Sequence, residues 1–304
     1  MLIIFKQVLI LFSFAAAGFV FAKLGKLKPE NSPILSGLLV YVFLPFYVFD
    51  TFAKSFTREY ISGNYEIILW STGIVLVLGV VMAFISKLFE RNKQRKYERD
   101  VYEYSLVVPN SGYMGYPMAE AVLGSVGLLN TMIFCLPLSI YIYTVGYSKL
   151  TKSGISFKKL LNPAIIALIL GAIAGFFEIP IPAVASSIMN KAGACMGPVS
   201  MILAGIVVSE FNFKELLSEK KIYIVTALRL FIIPVLIGLI TAPFSKTVME
   251  VAVLIYAMPC GLNTIVFPRL VGEDCHIGAG LALISNILAC LSIPIVLNLF
   301  SIGG

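Results

Sequence analysis

The amino-acid sequence predicts an all-α integral membrane protein of ten transmembrane helices, arranged as two inverted five-helix repeats. Composition is the first observation, because the 304 residues are 59% hydrophobic and only 13% charged, whereas about a quarter of a soluble protein's residues are charged. Uncharged apolar runs are the second, since segments such as 67–85 and 277–300 reach the roughly 20 residues that a bilayer core requires. The third is that glycine and proline recur at matching places in the two halves.

The apolar segments define the helices in order, and the polar loops between them are too short to form a separate soluble domain. The predicted spans are 2–22, 33–53, 66–86, 101–123, 127–148, 160–177, 190–209, 222–242, 247–271 and 276–300.

Basic residues predict the orientation of these helices. Of the 23 Lys and Arg residues, 17 lie in the loops after odd-numbered spans, five lie on the opposite side, and Arg229 lies inside span 8. Because basic residues accumulate in cytoplasmic loops, this distribution places both termini on the outer side of the cell membrane. The same rule explains the net charge of +7 without any nucleic-acid partner.

An internal repeat divides the chain into two halves of five spans. The matched landmarks are 153, 153 and 150 residues apart: Gly18 with Gly171, Pro45 with Pro198, and Pro109 with Pro259. Five is an odd number, so the second half enters the membrane from the opposite side, as in many secondary transporters. We therefore predict repeats at 1–148 and 160–304, joined by a basic cytoplasmic loop at 149–159.

Spans 4 and 9 contain the residues least suited to a helix. Span 4 holds "VVPNSGYMGYP" and span 9 holds "MPCGLNTIVFP". Proline removes a backbone donor and glycine favours non-helical backbone, so we predict two discontinuous helices that cross near the bilayer midplane. Half-helix N-termini attract anions and unwound carbonyls hold cations, so the crossing is the predicted binding site. The candidate binding residues are Pro109, Asn110, Ser111, Pro259, Gly261, Asn263 and Thr264.

The two asparagines are the strongest of these candidates. An amide offers donors and an acceptor without the desolvation cost of a charge. The alternative is that Asn110 and Asn263 cap the broken helix ends and contact no substrate.

The segments "VPNSGYMGYPM" and "MPCGLNTIVFPRLVG" resemble the fourth and ninth helices of the auxin efflux carrier family, which includes plant PIN-type carriers and bacterial dicarboxylate permeases. The resemblance extends over the whole chain. It implies a crossed-helix fold like that of bile-acid symporters and sodium/proton antiporters, with a scaffold of spans 1, 2, 6 and 7 and a transporter domain of spans 3–5 and 8–10. It further implies that Asn110 recognises a carboxylate beside Pro109 and Pro259, and that the protein forms a homodimer. The plant carriers lack the "GLN" found here at 261–263.

Three charged residues within or beside the spans are candidates for coupling or helix support. Arg229 lies deep in span 8, where it attracts an anionic substrate or ties helices together through backbone carbonyls. Glu120 either titrates during transport or reaches the membrane surface. For Asp50 we favour a solvated or capping role over that of an ion ligand.

We therefore predict a secondary transporter of small organic anions, such as auxin-like monocarboxylates or dicarboxylates, that works by alternating access. We expect no enzyme activity, cofactor or metal, because the chain has no HExxH, Walker or GxSxG motif and no cluster with metal-ligand spacing. Coupling to protons or sodium stays open. One alternative is a sodium-coupled symporter or antiporter of the bile-acid-carrier type, although neither break contains an acidic residue. The other is a membrane sensor that binds its ligand without transporting it.

Overall fold

The structure is a computed structural model that describes residues 2–89, 96–155, 161–211, 219–269 and 271–303. Within these ranges the chain is helical and contains no β-strand. The helices are α1 (Leu2–Lys23), α2 (Pro29–Ser55), α3 (Arg58–Asn64), α4 (Glu66–Phe89), α5 (Lys96–Val107), α6 (Ser111–Thr151), α7 (Pro163–Phe176), α8 (Ala183–Ser209), α9 (Lys220–Thr241), α10 (Lys246–Tyr256), α11 (Asn263–Arg269) and α12 (His276–Leu299).

Seven of the described helices are long and apolar enough to cross a membrane: α1, α2, α4, α6, α8, α9 and α12. Helix α7 is apolar but shorter. Large hydrophobic side chains on these helices are exposed, such as Leu76 on α4 and Leu236 on α9. A continuous apolar surface of this kind faces lipid rather than water, so the chain is a multi-pass membrane protein.

The described residues form seven long helices where the sequence predicts ten spans, because some spans are joined into one helix and others are interrupted. Helix α6 contains the second half of predicted span 4 and all of span 5, joined at Gly124. Gly124 has a φ of 73°, which glycine adopts without steric cost, and it interrupts the helical path at the predicted boundary. Helices α5 and α10, of 12 and 11 residues, are the first halves of predicted spans 4 and 9. The number of membrane crossings stays a prediction.

Close helix contacts form where glycine removes a side chain. Helix α1 packs along α8, and α2 packs along α7. A Cβ atom added to Gly18 would lie 2.3 Å from the carbonyl oxygen of Ile202, and one added to Gly171 would lie 2.7 Å from that of Phe49. Small residues allow helix backbones to approach in this way inside a membrane.

Some residues that carry the sequence predictions lie outside the described ranges. This applies to residues 156–159 of the predicted connecting loop and to the end of predicted span 9 at residue 270. It also applies to six of the basic residues that predict the cytoplasmic side: Arg91, Lys93, Arg95, Lys158, Lys159 and Lys214.

Candidate functional site

The breaks in the two discontinuous helices lie against each other. Helix α5 ends at Val107 and α10 ends at Tyr256, and an isolated antiparallel bridge joins Pro109 to Cys260. The backbone N–H of Asn110 donates to the carbonyl of Pro259 over 2.8 Å. Non-helical backbone at membrane depth requires partners within the protein, and here each break supplies them to the other.

A side chain from α12 supports the second break. The backbone N–H of Cys260 donates to Ser285 Oγ over 3.0 Å, which satisfies a donor that the interrupted helix leaves free. Within the first break, the N–H of Ser111 donates to the carbonyl of Pro109 over 2.8 Å. These bonds fix the backbone of both breaks.

A cavity of about 130 Å³ lies beside the crossing. One buried water requires about 10–15 Å³ by the same measure, so the cavity has room for several. The described lining contains no charged side chain. Its polar side chains come from both breaks and from α6 and the start of α7: Asn110, Ser111, Tyr113, Tyr116, Ser139, Tyr143, Asn162 and Asn263.

Asn110 lines this cavity with an amide that is available for binding. The residue is only 4% exposed, and its Nδ2 atom has no hydrogen-bond partner among the described residues. A buried amide donor without a partner is costly, so such a group in a cavity is suited to a ligand acceptor.

Five of the seven predicted binding residues line the cavity, namely Pro109, Asn110, Ser111, Gly261 and Asn263. Asn263 donates from Nδ2 to the hydroxyl oxygen of Tyr104 over 3.0 Å.

The other two predicted binding residues do not line the cavity. The Thr264 hydroxyl donates to the carbonyl of Gly261 over 3.0 Å and lies 3.4 Å from that of Gly278, so it connects α11 to α12. The Pro259 carbonyl is occupied by the N–H of Asn110.

Arg229 lies behind the crossing and does not line the cavity. It is fully buried in a π-helical turn of α9, and its Nη1 donates to the carbonyl of Leu106 over 3.2 Å. Its guanidinium carbon lies 5.2 Å from the ring centroid of Tyr256. The contact with Leu106 matches the interpretation that Arg229 ties helices together through backbone carbonyls.

Glu120 and Asp50 lie away from the crossing, around a second cavity of about 260 Å³ between α2, α6 and α8. Glu120 accepts a hydrogen bond from the hydroxyl of Tyr47 over 2.5 Å. Asp50 forms an ion pair with Lys54 over 2.6 Å. Both carboxylates therefore have protein partners outside the cavity that Asn110 lines.

Several residues of the cavity region were not predicted from the sequence. Tyr104 and Tyr256 reach the crossing only because α5 and α10 end there, and Tyr143 lines the cavity from the far end of α6. For Asn162 the sequence contains a local pattern, because an asparagine directly before a proline is typical of a helix N-cap. In the structure Asn162 accepts hydrogen bonds from N–H groups in the first turn of α7. That pattern marks a helix start and carries no information about a cavity.

Comparison with known proteins gives two similarities. The model of a family described as membrane transport protein matches residues 3–159 and 155–297. The chain is also 24% identical over 287 residues to an uncharacterized transporter of Methanothermobacter thermautotrophicus, which covers 91% of this chain and 92% of the relative. Together the matches extend over nearly the whole sequence.

Proposed function

This chain belongs to the membrane transport protein family, that of the auxin efflux carriers, and from that membership we propose that it is a secondary transporter of small organic anions. The family match confirms the resemblance carried by the motifs around Pro109 and Pro259. Transport is the function of the family, and the anionic substrate and the alternating-access mechanism are our proposal. In this proposal the protein has no enzyme activity.

The proposed architecture is ten helices in two inverted repeats, with both termini on the outer side. Helix packing supports the division into two repeats, because exchanging the repeats converts the pair α1 and α8 into the pair α7 and α2, and both pairs are in close contact. The same exchange converts α4 and α5 into α9 and α10, which are also in contact. A repeat with five helices per half has this symmetry.

The position of the cavity supports alternating access. One wall is formed by α2 and α7, which belong to the proposed scaffold, and the other by the broken helices of the proposed transporter domain. A substrate held by the transporter domain would change its exposure when that domain moves along the scaffold. The cavity extends to Asn162, next to the basic connecting loop, so we propose that this conformation faces the cytoplasm.

The free Nδ2 atom of Asn110 is the observation that carries the proposal of an anionic substrate. It lies where α6 begins, and the first amides of a helix have no intrahelical acceptor and attract negative charge. A carboxylate bound there would accept from the Asn110 amide. Hydrogen bonds to a charged group contribute about 1.5–3 kcal/mol.

The alternatives are supported less well. A sodium site of the bile-acid-carrier type would gain from a carboxylate at the crossing, and the described cavity lining has none. No observation favours a sensor that does not transport. A homodimer and the absence of a cofactor stay part of the proposal.

The test is uptake of radiolabelled carboxylates by proteoliposomes that contain the purified protein. We expect Asn110→Ala to reduce uptake about 10- to 100-fold, because each 1.4 kcal/mol of lost binding is a factor of ten. The matched control is Asn298→Ala, which removes an exposed amide near the end of α12. It should transport like the wild type.

Unchanged uptake by Asn110→Ala would contradict the assignment of the site. Wild-type protein that takes up only cations or neutral sugars would contradict the proposed anionic substrate.

A further inference from the structure

Arg229 is a buried positive charge without a carboxylate partner among the described residues. Its side chain is fully buried, and none of the ion pairs between described residues includes it. Its Nε and Nη2 atoms have no hydrogen-bond partner among the described residues. Since an uncompensated charge is very costly in a dry environment, another source of negative potential must lie close to the guanidinium.

The ends of two helices supply that potential. The carbonyl that accepts from Arg229 belongs to Leu106, the penultimate residue of α5, and the aromatic ring under the guanidinium belongs to Tyr256, the last residue of α10. The C-terminus of a helix carries about half a negative charge. Arg229 therefore lies near both C-terminal ends in the crossing, which together carry about one negative charge.

The opposite side of the crossing carries positive potential. Helix α6 begins at Ser111, and the unpartnered Nδ2 atom of Asn110 lies at the same place, on the cavity. Leu106 and Asn110 are four residues apart, so their Cα atoms are at most about 14 Å from each other. In a low-dielectric interior a charge next to Leu106 acts strongly over that distance.

We propose that Arg229 is a built-in counter-charge that neutralises the two helix C-termini and makes the cavity selective for monovalent anions without a co-transported cation. In carriers coupled to sodium, unwound carbonyls and helix C-termini bind the ion. Here a guanidinium already occupies those ends. The positive end of α6, which carries about half a positive charge, then remains to attract one negative charge on the substrate.

A second negative charge on the substrate would have no opposite charge nearby, because the described lining of the cavity is uncharged. The inference therefore favours monocarboxylates over dicarboxylates. It rests on the proposed function, since it assumes that a carboxylate binds beside Asn110.

The experiment measures the binding of two matched sets of probes to detergent-solubilised protein by thermal shift, and the uptake of those that bind by proteoliposomes. One set is propionate, malonate and propionamide; the other is 2-phenylpropionate, phenylmalonate and 2-phenylpropionamide. Each set keeps the carbon framework and changes only the charge. We expect wild-type protein to bind a monocarboxylate at least tenfold more tightly than its dicarboxylate, and equally well in sodium and in N-methylglucamine buffer.

Variants of Arg229 separate its charge from its structural contacts. Arg229→Gln should weaken binding of the monocarboxylate at least tenfold and leave binding of the neutral amide within twofold. Arg229→Lys keeps the charge and should stay within about threefold of wild type for both ligands. The matched control is Lys191→Gln, which removes an exposed positive charge on α8 and should change neither affinity.

Three results would overturn the inference. They are equal affinity of the wild type for dicarboxylate and monocarboxylate, sodium-dependent binding, and equal loss of carboxylate and amide binding in Arg229→Gln. The first two results are measured on wild-type protein, so they test the inference even if Arg229→Gln does not fold. Failure of the wild type to bind any carboxylate would instead reject the proposed function, and this inference with it.

Discussion

Asn110 and Asn263 occupy corresponding breaks but use their side chains differently. Asn110 donates its backbone N–H to Pro259, and its Nδ2 atom has no hydrogen-bond partner in the part of the chain that the structure describes. Asn263 donates its amide to Tyr104, which is fully buried in α5. Asn263 therefore connects the second half of one broken helix to the first half of the other. From these contacts we infer that Asn110 recognises the substrate and that Asn263 mainly holds the crossing together.

A double-mutant cycle tests the role of Asn263. We expect Tyr104→Phe and Asn263→Ala to show a coupling of about 0.6 kcal/mol in the free energy of unfolding, as hydrogen bonds between membrane helices typically do. The measurement is reversible unfolding in mixed micelles. The control cycle pairs Tyr104→Phe with Thr264→Val, because the Thr264 hydroxyl bonds only to backbone carbonyls. If the two substitutions of the first cycle changed the free energy of unfolding additively, the hydrogen bond between Asn263 and Tyr104 would not stabilise the crossing.

At the scale of helices, the contacts of α1 with α8 and of α2 with α7 depend on missing side chains. The glycines that permit them, Gly18 and Gly171, are the same pair that reveals the repeat in the sequence. Each faces a backbone carbonyl of its neighbouring helix, at Ile202 and at Phe49. A backbone atom cannot turn aside as a side chain can, so both positions exclude even a methyl group.

We expect Gly18→Ala and Gly171→Ala each to destabilise the protein by about 1–3 kcal/mol, the usual cost of overpacking. The matched control is Gly73→Ala in α4, where an added Cβ atom meets nothing within 4 Å. Alanine favours a helix over glycine by up to about 1 kcal/mol, so this variant should be as stable as wild type or more so. Thermal unfolding in detergent measures all three. Equal effects at Gly73 and Gly171 would show that helix contact is not the cause.

For the whole molecule, alternating access requires that contacts between scaffold and transporter domain break on one side at a time. On the predicted outer side, Tyr47 of α2 donates to Glu120 of α6. Nearby, a Cβ atom on Gly197 of α8 would lie 3.5 Å from Cβ of Pro117. These contacts join α2 and α8 of the proposed scaffold to α6 of the proposed transporter domain, whereas the cavity at the crossing extends towards Asn162.

A disulfide across this contact tests the proposed motion. We expect Pro117→Cys combined with Gly197→Cys, with the five native cysteines replaced by alanine, to lose at least 90% of uptake on oxidation, because transport requires the two helices to separate. The Cβ separation suits a disulfide, for which about 3.5–4.5 Å is usual. Reduction should restore uptake, and each single cysteine variant should be insensitive to oxidant. Full uptake by the oxidised double variant would exclude separation at this contact.

Local patterns in the sequence were sufficient for much of this description. Apolar runs longer than a bilayer core indicate a membrane protein, and the clusters around Pro109 and Pro259 mark where the helices break, because proline and glycine act on their own backbone. The boundary between predicted spans 4 and 5 also agrees with the turn at Gly124. The motifs were distinctive enough for the family resemblance that the comparison confirms.

The tertiary structure decided which groups meet. The bond from Asn110 to the Pro259 carbonyl joins residues about 150 positions apart, and the partners of Arg229 lie at the ends of two other helices. Periodicity and propensity describe neighbours along the chain and carry no information about such contacts. The sequence by itself determined that the chain crosses membranes and where its helices break, since those properties depend on local composition. Only packing decided that the Asn110 Nδ2 atom has no partner among the described residues and that Arg229 lies near both helix ends, because each depends on what the rest of the chain brings beside it.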